Sequence, residues 1–126
     1  MAETMIMADN AIKQKSFAFA LRVIKLYQFL SEQKREFVLS KQLLRAGTAI
    51  GALVREAEQA ESKADFVHKI AIALKEANET EYWIELLHQA GYIDEKGYES
   101  IQTDIVELLK LLTSIIKTTK SKAGID

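Results

Sequence analysis

The chain has 126 residues, a formal net charge of −1, no cysteine, no proline and five glycines. These numbers exclude a disulfide-stapled or thiolate-metal protein and a bulk polycation, and they argue against an all-β fold, whose turns demand proline and glycine. A hydrophobic content of 48% supports one core, so residues 1–126 are expected to form one domain. No stretch approaches the roughly 18 consecutive apolar residues of a membrane span, and the first ten residues lack the basic flank of a secretory signal. A cytoplasmic protein is expected. The charge is uneven: residues 1–55 carry nine basic and four acidic side chains, residues 56–107 four and thirteen, and residues 108–126 four and one.

The first predicted helix runs from about Asp9 to Glu32. Its apolar residues, among them Phe17, Leu21, Ile24 and Leu30, recur at helical spacing over a face wider than one seam needs. The following loop is mostly polar, with Phe37, Val38 and Leu39 expected to fold back on the core. Ser40 suits the N-cap of a second helix, about 41–60. A tight turn at Glu61-Ser62 follows. Ser62 with Asp65 three residues on is a capping-box variant that opens a third helix, about 63–90, with Gly91 as its C′ residue. Asp94 caps a fourth, about 95–120, with a stripe of Ile101, Ile105, Leu108, Leu112 and Ile115. Lysines at the end of that helix complement its dipole. Short connections make successive helices antiparallel, so the fold class is an all-α, up-down-up-down four-helix bundle. The excess apolar edges suggest that copies of the chain also bury surface against each other.

The second helix contains two glycines, each costing about 1 kcal/mol relative to alanine inside a helix. If the hairpin turns at residues 61–62, residue numbers summing to about 123 lie at the same height. Gly47 and Gly51 are then expected opposite Ala77 and Ala73, small against small, as a packing device. The same register brings Arg45 to Glu76 and Glu79, predicting an inter-helix ion pair that fixes register more than it stabilises. A phosphate loop is a poor reading of these glycines, because such loops precede a helix instead of lying within one.

The segments Gln42-Leu43-Leu44-Arg45-Ala46, Ile50-Gly51, Arg55-Glu56-Ala57, Glu61-Ser62-Lys63-Ala64-Asp65-Phe66 and Lys75-Glu76-Ala77, then Glu79 and Tyr82-Trp83, resemble the bacterial four helix bundle proteins. These are also called 23S rRNA intervening-sequence proteins. The resemblance covers about Phe17 to Lys117. It implies a left-handed four-helix bundle that assembles as a ring, commonly a pentamer. It also implies kinship to accessory proteins of diversity-generating retroelements, basic pentamers that bind nucleic acid and a reverse transcriptase. This chain departs from the family pattern in carrying Leu53-Val54 where many relatives have Asn-Ile.

No catalytic constellation is evident, and Ser40 and Ser62 are accounted for by capping. Glu85-x-x-His88 and Asp65-x-x-His68 echo di-iron spacing, but both lie on one helix and their histidines stand about 30 Å apart. No metal, cofactor or small-molecule substrate is expected, and the chain is read as a non-enzyme. The functional expectation is a homo-oligomeric scaffold or adaptor in contact with RNA or a ribonucleoprotein. Lys13, Lys15, Arg22 and Lys25 on the first helix, with Lys34, Arg35 and Lys41 at its far end, are the candidate phosphate contacts. Arg22 and Lys25 are three apart, a spacing that allows them to share a face, and a ring would repeat such a cluster. A merely solvated helix face accounts for the same residues and is favoured by the charge of −1. The alternative function is a protein-only module that docks a basic partner through its acidic third helix.

Overall fold

A computed structural model describes the backbone of residues 3–124 and the side chains of residues 11–122. It contains α1 (Glu3–Glu32), α2 (Leu39–Ala57), α3 (Lys63–Gln89) and α4 (Glu95–Ala123). Each helix packs against its neighbour in sequence, and α1 packs against α4, while among the described residues neither diagonal pair brings its backbones close. The cross-section is therefore a square with one shared core. Val23 and Leu30 of α1, Leu43 and Ile50 of α2, Ile70, Ile84 and Leu87 of α3, and Ile105, Leu108 and Leu112 of α4 are almost wholly withdrawn from solvent. Full burial of such a side chain is worth about 1.5–3 kcal/mol, and this term holds the four helices together.

The connections follow local chemistry. Ser62 Oγ accepts the N–H of Asp65 at 3.0 Å, and the Asp65 carboxylate reaches back to the N–H of Glu61 at 3.2 Å. The acid thus closes the turn one residue earlier than a standard capping box would. Gly91 adopts φ +87 past the end of α3. The N–H of Tyr92 bonds the carbonyl of Leu87 at 2.9 Å, and that of Gly91 bonds His88 at 3.0 Å. That pair of bonds is a Schellman motif, which only a residue at ease with positive φ closes without strain. Asp94 caps α4 through the N–H of Gly97 at 2.7 Å.

Four expectations are corrected. First, α2 begins at Leu39, and its cap is not Ser40. The buried carboxylate of Glu36 instead accepts the N–H groups of Val38, Leu39 and Ser40 at 3.1, 3.1 and 2.7 Å. An anion at a helix N-terminus satisfies orphan donors and complements the dipole, so a carboxylate outcompetes a hydroxyl there. The Ser40 hydroxyl turns back to the Glu36 carbonyl at 2.8 Å. Second, Phe37 and Val38 do not fold onto the core: they are 46% and 71% exposed, while Leu39 alone packs inward. Third, α2 ends at Ala57, three residues before the expected end at residue 60. Fourth, Gly47 and Gly51 face α1 instead of α3. A Cβ on Gly47 would lie 2.8 Å from Val23, and one on Gly51 would lie 3.4 Å from Ser16. Ala73 and Ala77 are fully buried in the core. They do not meet the glycines in a small-on-small seam.

Candidate assembly surface and nucleic-acid interface

Arg45 stands between α2 and α3, as the hairpin register requires. Its guanidinium contacts Glu76 at 3.2 Å and also pairs with Glu79. Glu79 in turn accepts the indole N–H of Trp83 at 3.0 Å. Half of the Arg45 side chain remains in solvent, so the pair is strongly screened. Arg45→Met is expected to shift stability by less than about 1 kcal/mol in urea denaturation. A loss of several kcal/mol would instead mark this cluster as a desolvated network. Nearby, Glu56 bonds Lys69 at 2.9 Å, and the hydrogen bond and charge together raise the Lys69 pKa above its ordinary 10.5.

The basic residues divide into two groups. Lys13 pairs with Glu58 at 3.2 Å and Lys15 with Glu107 at 2.9 Å. Arg22 pairs with Asp104 and donates to the Ser100 hydroxyl at 2.9 Å. Arg22 therefore leans onto α4 and is engaged within the chain. The other four, Lys25, Lys34, Arg35 and Lys41, are exposed and form no ion pair among the described residues. Of these four, Lys34, Arg35 and Lys41 lie where α1 gives way to α2.

The acidic side of the molecule is partly engaged from within. Glu76 and Glu79 hold Arg45, and Glu81 accepts from the Gln102 amide at 3.0 Å. His88 stacks on Tyr98 with ring centroids 4.0 Å apart, and its Nε2 meets Glu95 at 2.9 Å. This contact ties the end of α3 to the start of α4. Among the described residues no three His, Asp or Glu side chains gather as a metal site would need, and no helix is long and apolar enough to cross a membrane.

Two exposed apolar features remain. On α1, Phe17, Leu21 and Ile24 are 51%, 49% and 39% exposed and follow one another at spacings of four and three. That spacing sets them in one stripe along the helix. The Arg55 guanidinium lies 5.1 Å from the Phe17 ring centre and borders the stripe. At the α1–α2 corner, Phe29 is 43% exposed beside Phe37 and Val38 in the same short stretch of chain. The wide apolar face of α1 announced the stripe. The corner was hidden because a Phe-Val-Leu run reads as core.

The model of the 23S rRNA-intervening sequence protein family matches residues 8–114. Among solved structures, the chain is similar to a protein of unknown function from the S23 ribosomal protein family of Bacteroides thetaiotaomicron. The two share 60% identity over 87% of this chain and 98% of the other, with a TM-score of 0.86. No curated protein matches the chain.

Proposed function

The chain belongs to the 23S rRNA-intervening sequence protein family, and from that premise we propose that it is a non-enzymatic cytoplasmic scaffold, built as a ring of identical copies, whose partner is RNA. The observation that carries this reading is the α1 stripe of Phe17, Leu21 and Ile24, left uncovered by the chain's own fold. Three large apolar side chains in one line cost free energy in water, and a second copy withdraws them at about 25 cal/mol per Å². If the stripe seats on a different face of the next copy, the contact is head-to-tail and closes into a ring when the rotation between copies permits. The family resemblance supplies five as the number of copies. Repetition then multiplies a modest basic corner into several phosphate contacts at once.

The test is light scattering on a size-exclusion column, with absorbance followed at two wavelengths that separate protein from nucleic acid. The wild-type chain is expected at about five times its 14.2 kDa mass. Leu21→Glu with Ile24→Glu is expected to elute as a folded monomer, because two charges cannot be buried at such a contact without partners. A wild-type monomer would sink the ring. Nucleic-acid absorbance travelling with the protein would support RNA as the partner, and absence of RNA binding at low salt would remove it.

A further inference from the structure

The α1–α2 corner is where free cations, exposed aromatic rings and a constrained backbone coincide. Lys34 Nζ lies 5.8 Å from the centre of the Phe29 ring, and the Arg35 guanidinium lies 5.7 Å from that of Phe37. Both rings stay nearly half exposed. Lys41 follows in the first turn of α2, exposed and without an ion pair among the described residues. Arg35 sits at φ +58, the one non-glycine residue of the described chain in the left-handed region. Such a conformation persists only where its surroundings over-determine it. Glu36 does this. Its N–H bonds the Leu30 carbonyl at 2.9 Å, and its carboxylate holds the start of α2. The corner is thus fastened at both ends while Lys34, Arg35, Phe37 and Val38 face water.

Resting on the RNA reading above, we propose that this corner is a binding site for single-stranded RNA, in which bases stack on Phe37 and Phe29 while Lys34, Arg35 and Lys41 neutralise phosphates. Stacking rings interleaved with cations are the features that hold single strands without reading their sequence. A duplex buries its base faces and cannot use the rings. A membrane surface is a poorer match. The corner presents one ring on the last turns of α1 and a second ring with a valine on a short loop, not the long apolar helix face that interfacial insertion uses. The held backbone lowers the ordering cost of binding. In a ring of copies the site recurs, so one strand could engage several corners in turn.

Fluorescence anisotropy with labelled oligouridylate, on the assembled protein at low salt, tests the site. Phe37→Ala is expected to weaken binding about tenfold and Phe37→Trp to preserve it, since either aromatic offers a face to a base. Lys34→Glu with Lys41→Glu should weaken binding further. It should also lower the magnitude of the slope of log affinity on log salt by about 1.4, for two phosphates lost. Affinity for duplex RNA should be unmoved by Phe37→Ala. All these side chains are exposed, and each variant's oligomeric mass and circular dichroism check that it folds; Arg35→Gly, which suits the left-handed backbone, supplies an independent loss of charge. If oligouridylate binds the wild type but none of these variants changes its affinity, the site is overturned while the RNA reading stands. If no RNA binds at low salt, both fall. Binding to anionic vesicles with no RNA binding would overturn the site in favour of a membrane.

Discussion

Gly47→Ala is expected to destabilise the protein by about 1–2 kcal/mol, although alanine is the better helix former by about 1 kcal/mol. The added Cβ would lie 2.8 Å from one methyl of Val23 and 3.0 Å from the other. Val23 is fully buried and β-branched, and in a helix such a side chain has one strongly preferred rotamer. It cannot swing aside, so α1 and α2 must separate or Val23 must leave its rotamer, and overpacking of this kind costs about 1–3 kcal/mol. Gly51→Ala provides the internal contrast. Its Cβ would meet Ser16 at 3.4 Å, an ordinary contact, so the helical gain survives and the variant should match or exceed the wild type by up to about 1 kcal/mol. Val23→Ala together with Gly47→Ala should cost less than the two single losses added, with a coupling energy of about 1 kcal/mol. Urea midpoints at fixed protomer concentration read all five proteins, Val23→Ala alone included. Equal midpoints for the two glycine variants would mean that close approach to α1 is not why Gly47 is there.

The same pair of glycines shows how far the sequence is legible. The turn at Glu61-Ser62 sets which residues of α2 and α3 stand at the same height, and Arg45 accordingly meets Glu76 and Glu79. Height is not direction. A helix advances about 100° per residue, so Gly47 points about 200° away from Arg45. If Arg45 faces α3, Gly47 cannot, and it faces α1. The basic residues misled for another reason. Lys15 and Arg22 find Glu107 and Asp104 across the α1–α4 seam, and nothing local in a sequence announces partners more than eighty positions away. The apolar stripe on α1 was visible as excess width, because periodicity reports faces directly. The corner was not, since its form depends on one carboxylate. The signal was an acid four residues before Ser40, close to where the dipole of a new helix would draw it.

Glu36→Ala is therefore expected to cost about 2–3 kcal/mol, among the larger losses available to a single residue outside the apolar core. Three N–H groups at the start of α2 would lose their acceptor together. Hydrogen bonds to a charged group are worth about 1.5–3 kcal/mol each in isolation, but these three share one carboxylate and water can replace part of what is lost. Glu36→Gln keeps an acceptor oxygen and removes the charge, so it should fall between. The pH dependence identifies the charge as the cause. Burial pushes the Glu36 carboxyl upward, but the N–H groups of Ser40, Leu39 and Val38 outweigh burial and hold its pKa below the ordinary 4.5. A carboxylate with a depressed folded pKa stabilises fully above its unfolded value, and that contribution is lost as pH falls through the folded one. The gap between wild type and Glu36→Gln should hence be widest near neutrality and close in acid. Hydrogen exchange at residues 36–40 should quicken in either variant, and oligouridylate affinity should fall with it, because a corner freed from Glu36 no longer holds Arg35 and Phe37 in place. A stability gap that stays constant from neutral to acid pH would show that packing, not charge, is what Glu36 supplies.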